Sequence, residues 1–221
     1  MARKNTSHEK AQGAYRRALM KAAGFRASDL GKPQVGIANS WTEANPGHIH
    51  LRTLAEHVKA GVWEAGATPV EFNTIAPCDG IAQGPGMHAV LPAREAVAAS
   101  VETMAKAHGF DALVMIASCD KIIPGMLQAA ARCGVPAVFL TGGTMLPGSV
   151  DGKTFVTSDV KEAIGRFRSG EIGEKKFEEY ENNICAGYGA CSMMGTACTM
   201  ACLVEAMGLS LPGAASGLAA D

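Results

Sequence analysis

Thiols and carboxylates stand side by side at two places in the chain, each directly after an apolar run. Cys78 and Asp79 follow the run TPVEFNTIA, whereas Cys119, Asp120 and Lys121 follow the run DALVMIAS. Thiolates are soft ligands that suit iron-sulfur clusters, and carboxylates suit hard cations such as Mg²⁺. A lysine beside two carboxylates is ordinarily their charge partner, but a carbamylated lysine is an anionic oxygen ligand. These residue types indicate two kinds of metal chemistry next to each other.

A further candidate thiol is Cys191, in the glycine-rich segment GYGACSMMGTACTM. Glycines at 187, 189 and 195 would let the backbone approach a cofactor without a side-chain clash. The segment is predicted to place Cys191 just before a helix, where backbone N–H groups favour a thiolate and its cluster.

The seven cysteines are odd in number and include no CxxC pair, and the chain starts without an apolar signal segment. These features argue against a disulfide framework, and they disfavour a zinc protein, which stays an alternative. Four cysteines are interpreted mainly as packing or surface residues: Cys133, Cys185, Cys198 and Cys202. His48 and His50 are interpreted as hydrogen-bonding or helix-entry residues rather than ligands.

Four apolar runs are predicted to be strands that position these residues: 33–40, 68–76, 111–118 and 135–143. Helical patterns occupy four further ranges: 48–65, 93–107, 125–134 and 195–208. The alternation predicts an α/β fold, a parallel sheet flanked by helices on both faces in three layers. Because ligands bind beyond the carboxyl ends of such strands, the polar turns are expected to converge on one crevice. The charged stretch 151–182 is predicted to be a solvated helical excursion.

Composition excludes several classes of protein. A formal net charge of -1 and 5% aromatic residues argue against a nucleic-acid binder. No run of 18 apolar residues occurs, so no membrane association is predicted, and a cytoplasmic location is expected. The expected partner is a small-molecule substrate.

Seven segments resemble, in the same order, the N-terminal part of the dihydroxy-acid dehydratase and phosphogluconate dehydratase family. They are GIANSW, PGHIHL, EFNTIAPCDGIAQGPGM, LPAREAVAASVE, SCDKIIPGM, TGGTM and GACSMMGTACTM with the later EAMGLSLPG. The resemblance implies a hydro-lyase that converts a 2,3-dihydroxy carboxylic acid into a 2-keto acid, with branched-chain amino-acid biosynthesis favoured. Two alternatives stay open, a sugar-acid (aldonate) dehydratase and a non-catalytic cluster-binding fragment.

The resemblance also implies an organisation and a set of roles. Residues 1–32 would form an N-terminal helical arm and residues 33–221 a cluster- and magnesium-binding α/β domain. Cys119 and Cys191 would hold the iron-sulfur cluster, while Asp79, Asp120 and a carbamylated Lys121 would hold Mg²⁺. The family's serine base lies in a C-terminal β-rich domain, which is expected to be missing here. No catalytic residue is therefore expected within this chain, and a homodimer is expected.

One departure from the family concerns the third cluster ligand. Members with a [2Fe-2S] cluster carry a cysteine in a PCN turn after the first strand, whereas this chain reads PGH, with Gly47 at that position. The departure favours a [4Fe-4S] cluster over [2Fe-2S]. It leaves the third ligand open among Cys78, Cys198 and Cys202.

Overall fold

The chain enters its sheet through a short helical segment. The structure is a computed structural model that describes residue 11 and residues 13–220. Helix α1 (Ala14–Ala22) and a single 3-10 turn (Asp29–Gly31) precede the first strand. Residues 1–10 and residue 12 of the predicted N-terminal arm lie outside the described residues.

The predicted parallel sheet is confirmed. Its strands are β1 (Gln34–Asn39), β2 (Thr68–Asn73), β3 (Ala112–Ala117) and β4 (Ala137–Thr141). They lie in the order β2-β1-β3-β4, and every neighbouring pair is parallel. From β1 the chain continues to β2 at one edge of the sheet. It then crosses to β3, on the other side of β1, and continues to β4 at the opposite edge. Loops that leave β1 and β3 diverge at this switch point, which opens a crevice beyond the carboxyl ends of the strands.

Helices cover both faces of the sheet, which confirms the predicted three layers. The helices after α1 are α2 (Leu51–Glu64), α3 (Met87–Val90), α4 (Ala93–His108), α5 (Ile122–Cys133), α6 (Asp159–Arg168), α7 (Glu174–Asn183) and α8 (Thr196–Ala206). On one face, Leu51 and Ala55 of α2 pack with Ile37 and Ile116 of the sheet. Helices α4, α5 and α8 share a larger core on the opposite face. None of the described helices is long and apolar enough to cross a membrane.

The stretch 151–182 is folded, which corrects the prediction of a solvated excursion. Strands β5 (Leu146–Val150) and β6 (Lys153–Phe155) form a hairpin, and β7 (Cys185–Ala186) pairs antiparallel with the other edge of β5. Helices α6 and α7 pack with this small sheet. Their buried side chains form a separate core of Val150, Ala163, Tyr180 and Ile184. The predicted helices in this stretch are confirmed. Its buried core was not predicted, because many of its residues are charged and lie on the outer faces of the helices.

Helices α4 and α5 approach each other closely at Gly125. A methyl group at Gly125 would lie 2.7 Å from the carbonyl oxygen of Arg94 and 2.9 Å from Cβ of Val97. Gly125→Ala is therefore expected to lower the free energy of unfolding by about 1–3 kcal/mol, the usual cost of overpacking. Urea unfolding followed by circular dichroism measures the change.

The matched control is Gly61→Ala, at an exposed position in the last turn of α2. A methyl group at Gly61 meets no atom within 4 Å, so alanine should raise the free energy of unfolding by about 0.5–1 kcal/mol. Equal effects at Gly61 and Gly125 would contradict the packing explanation.

Candidate metal and cluster site

Two carboxylates and one ammonium group form the charged part of the site. Nζ of Lys121 donates to Oδ2 of Asp79 over 2.9 Å and to Oδ2 of Asp120 over 2.5 Å. All three side chains are half-buried. The loop after β2 and the loop after β3 are thus joined, as the sequence predicts.

This charged group has unused capacity for a cation. Oδ1 of Asp79 is buried and has no hydrogen-bond partner among the described residues. Burial raises the pKa of Asp120, and the neighbouring Asp79 adds to that rise although Lys121 opposes it. Burial acts to lower the pKa of Lys121, but its hydrogen bonds to Asp120 and Asp79 outweigh burial and raise it. An orphaned carboxylate oxygen beside a second carboxylate fits a hard cation such as Mg²⁺.

The sulfur of Cys119 lies beside these carboxylates and contacts Asn45 from the loop after β1. Nδ2 of Asn45 lies 3.3 Å from Sγ of Cys119, and it also donates to the carbonyl oxygen of Ala76 over 3.2 Å. Asn45 therefore links the loops that follow β1, β2 and β3. The sequence does not single this residue out, because its one signal is an amide directly before the PGH turn.

Backbone hydrogen bonds bring the Cys191 segment to the same edge of the sheet. The N–H of Gly189 donates to the carbonyl oxygen of Pro46 over 3.0 Å, and the N–H of Ala190 donates to that of Gly143 over 2.9 Å. Gly189 has a φ of 127° and lies against the backbone of Thr144 and Met145, where a side chain would collide. Glycine is thus required here for the close approach of two backbone segments, while the predicted approach to a cofactor stays a prediction.

Helix α8 begins at Thr196, five residues after Cys191. The helix predicted over 195–208 is confirmed to within two residues at each end, and Cys191 precedes it without lying in its first turn. Cys119 has the closer relation to a helix, because its carbonyl oxygen accepts the N–H groups of Ile122 and Ile123 in the first turn of α5.

Burial disfavours the thiolate forms of Cys119 and Cys191. Burial raises the pKa of Cys119 to about 12, and burial also raises the pKa of Cys191. No three His, Cys, Asp or Glu side chains within the described ranges are already arranged around a metal ion. Cluster or metal binding would therefore displace protons and draw the ligands together, as it commonly does.

Gly47 lies close to Cys119 in the loop after β1. A Cβ built on Gly47 would lie 3.2 Å from Sγ of Cys119 and 3.4 Å from the carbonyl oxygen of Gly189. The position that carries cysteine in the [2Fe-2S] members thus faces this site, but glycine offers no ligand there.

The two histidines are hydrogen-bonding residues in the loop before α2, as the sequence predicts. His48 is fully buried, and its Nδ1 lies 2.8 Å from the carbonyl oxygen of Ser40. Because a carbonyl only accepts, Nδ1 must carry the hydrogen. His50 similarly places Nε2 2.6 Å from the carbonyl oxygen of Gly142, and its ring stacks on Tyr188 at 4.8 Å between centroids.

An open groove of about 630 Å³ lies beside the loop after β2. Its walls include Trp41, Ile75, Pro77 and Pro92, with Asn73 and Thr74 as polar members. Pro77 directly precedes Cys78 and Asp79 in the chain, so the groove borders the loop that supplies the carboxylate. This surface suits the aliphatic part of a small ligand.

Residues 32–221 match the family described as dihydroxy-acid/6-phosphogluconate dehydratase N-terminal. The chain belongs to this dehydratase family. It is 52% identical over 206 residues to the dihydroxy-acid dehydratase of Methanococcus vannielii, a match that covers 93% of this chain and 38% of that protein. The dihydroxy-acid dehydratase of Methanosarcina barkeri is 50% identical over 206 residues, covering 93% and 37% of the two chains.

Family membership confirms the resemblance that the motifs indicate. The four-stranded parallel sheet with helices agrees with the N-terminal domain of the dihydroxy-acid/6-phosphogluconate dehydratases. The chain spans less than two fifths of the length of the curated relatives it matches. Their names indicate a metabolic hydro-lyase, and a metal or iron-sulfur cofactor is consistent with the family.

Proposed function

We propose that this chain is the cluster- and magnesium-binding part of a dihydroxy-acid dehydratase. The reaction is the dehydration of a 2,3-dihydroxy carboxylic acid to a 2-keto acid, with 2,3-dihydroxyisovalerate-type substrates. The observation that carries the proposal is the junction of Cys119 with the Asp79–Lys121–Asp120 group at one edge of the sheet. That junction lies in a chain about half identical to proteins named dihydroxy-acid dehydratase.

In this proposal Cys119 and Cys191 hold an iron-sulfur cluster, with [4Fe-4S] favoured over [2Fe-2S]. Asp79, Asp120 and a carbamylated Lys121 hold Mg²⁺. When bound, the two groups would act as Lewis acids toward a hydroxyl and a carboxylate of the substrate. Positions 119–121 put one proposed cluster ligand next to two proposed magnesium ligands in the chain, and Lys121 contacts Asp79 over 2.9 Å. This closeness supports placing one substrate between the two groups.

The chain's own residues prepare this crevice. Asn45 fixes the sulfur of Cys119 and the loop at Ala76 with the same amide group. Lys121 forms ion pairs with both carboxylates and neutralises one of their two charges. Carbamylation would join its neutral amine to CO₂ and release one proton, yet the ion pairs keep the amine protonated. We therefore expect the carbamate only in metal-loaded protein.

The choice of substrate is supported by the apolar groove beside the Asp79 loop. A branched aliphatic tail would bury its methyl groups there. A sugar acid would instead require several hydrogen-bonding groups around its remaining hydroxyls. The aldonate alternative is therefore less favoured. We also propose, from the resemblance, that the protein acts in the cytoplasm as a homodimer.

Cluster content tests the proposed site. Iron, acid-labile sulfide and visible absorption are measured on anaerobically purified wild type, Cys119→Ser, Cys191→Ser and the control Cys133→Ser, whose sulfur lies at the far end of α5. We expect a coloured wild type and control, and colourless Cys119→Ser and Cys191→Ser proteins. A wild type that stays colourless after anaerobic reconstitution would overturn the cluster.

The reaction is tested on the polypeptide that carries this chain, with Mg²⁺ and either 2,3-dihydroxyisovalerate or gluconate. Keto acid formed mainly from dihydroxyisovalerate is the expected result, since the groove is apolar. Faster turnover of gluconate would favour the sugar-acid alternative. A loaded cluster without keto acid from either compound would favour the non-catalytic alternative.

A further inference from the structure

A cluster with one iron open to substrate needs one more protein thiolate than Cys119 and Cys191 supply. A [4Fe-4S] cluster has four irons, each held by a cysteine unless it is left open. Gly47 offers no ligand although it faces Cys119. The third thiolate must therefore come from another of the chain's cysteines.

Three cysteines are poorly placed for this role. Sγ of Cys198 is buried and already donates to the carbonyl oxygens of Met193 over 3.2 Å and Cys191 over 3.5 Å. Cys202 is exposed one turn further along α8, and Cys133 ends α5 at the opposite end from Cys119.

Cys185 lies in the small antiparallel sheet, outside the loops that follow the parallel strands. It is exposed in β7 and lies opposite Pro147 of β5. A ligand that bridges both halves of the site must be close to both sulfurs.

Cys78 meets this requirement. It is half-buried. Ala76, two residues before it, accepts a hydrogen bond from the Asn45 amide that also lies 3.3 Å from Sγ of Cys119. Pro46, next to Asn45, accepts the N–H of Gly189 in the Cys191 segment over 3.0 Å. Its neighbour Asp79 contacts Lys121, only two residues from Cys119, over 2.9 Å. The loop that carries Cys78 is thus fixed against the loop that carries Cys119.

The geometry points to Cys78 as the third thiolate of the iron-sulfur cluster. This inference rests on the proposed function, since it takes a cluster at this site as given. The two Cys-Asp pairs then have parallel roles, because Cys78 and Cys119 face the cluster while Asp79 and Asp120 face Mg²⁺. Each loop would supply one soft and one hard ligand.

Iron and sulfide content of Cys78→Ser tests the inference, with Cys202→Ser as the matched control. Loss of a direct ligand should lower iron and sulfide per chain at least about tenfold, since even indirect partners of metal ligands cost about that much. Cys202→Ser should retain the wild-type content. Electron paramagnetic resonance of the reduced proteins would report whether any cluster left is still of the [4Fe-4S] type.

A rescue variant separates ligand loss from misfolding. Gly47→Cys adds a thiol whose Cβ lies 3.2 Å from Sγ of Cys119. The double variant Gly47→Cys/Cys78→Ser is expected to regain a cluster that Cys78→Ser lacks. If Cys78→Ser does not fold, alkylation of the wild-type protein tests the inference instead. Cys78 should be protected from alkylation in the cluster-loaded protein and should react after iron is removed. Cys202 should react both before and after iron is removed.

The outcomes distinguish this inference from the proposed function. A cluster that is lost in Cys119→Ser but kept in Cys78→Ser would overturn Cys78 alone. The same holds for a loaded wild type in which Cys78 reacts as readily as Cys202. A wild type that never takes up a cluster would overturn the proposed function itself.

Discussion

Asp79→Asn is expected to weaken Mg²⁺ binding by the chain at least about 100-fold. Asp79 contributes a formal negative charge to the proposed magnesium site. Its buried oxygen Oδ1 has no hydrogen-bond partner among the described residues. Asparagine removes the charge and can present N–H donors to the cation. Isothermal titration calorimetry with MgCl₂ at constant ionic strength measures the change.

Asp151→Asn is the matched control for this experiment. Asp151 is also a carboxylate paired with a lysine, Lys176, but it lies in the hairpin turn away from the site. Its φ of 51° is in the left-handed region, which asparagine tolerates well. Mg²⁺ affinity should be unchanged in Asp151→Asn. Equal Mg²⁺ affinities of wild type and Asp79→Asn would rule out Asp79 as a ligand.

Acidification from pH 6.5 to pH 4 is expected to lower the free energy of unfolding by about 3 kcal/mol through His48 alone. Burial lowers the pKa of His48 from 6.5 to about 4, with a smaller electrostatic contribution from His50. The unfolded chain takes up a proton below pH 6.5, whereas the folded chain does not do so until about pH 4. The contribution is therefore fully present above pH 6.5 and is lost progressively as the pH falls to 4.

His48→Asn should remove this part of the pH dependence. The asparagine amide can still donate to the carbonyl oxygen of Ser40, but it does not titrate. Urea unfolding at several pH values should give a shallower profile for His48→Asn than for wild type. The matched control is His57→Asn, the same substitution at an exposed position of α2. A parallel profile for His48→Asn and wild type would show that His48 does not cause the pH dependence.

The parallel sheet could be predicted from the sequence because its strands are apolar runs that end at polar turns. Every predicted strand of that sheet ends within three residues of the observed bounds. The approach of Asp79 to Lys121 also follows from the fold class, since loops after neighbouring parallel strands meet at one edge.

The small antiparallel sheet was harder to predict. Strand β5 has the sequence LPGSV. Proline and glycine are typical of turns, so this sequence does not indicate a strand. The Asp151-Gly152 pair between β5 and β6 is a known hairpin signal, and both residues have positive φ. That signal was available in the sequence, but the surrounding charge favoured a different interpretation.

Asn45 could not have been assigned from the sequence. Its partners Ala76 and Cys119 lie 31 and 74 residues away along the chain. Its role depends on the distance between three loops, which only the packed sheet sets. The same holds for Gly47, whose closeness to the sulfur of Cys119 is invisible in the PGH turn.

The backbone bonds of the Cys191 segment also bear on the order of events during synthesis. Strand β4 ends at Thr141, so all four parallel strands precede Cys191, which is made 72 residues after Cys119. At about 5–20 residues per second, the interval between the two cysteines is roughly 4–14 s. Small zinc domains fold around their metal. Here, in contrast, the proposed cluster would be inserted into a sheet that has already formed on the ribosome.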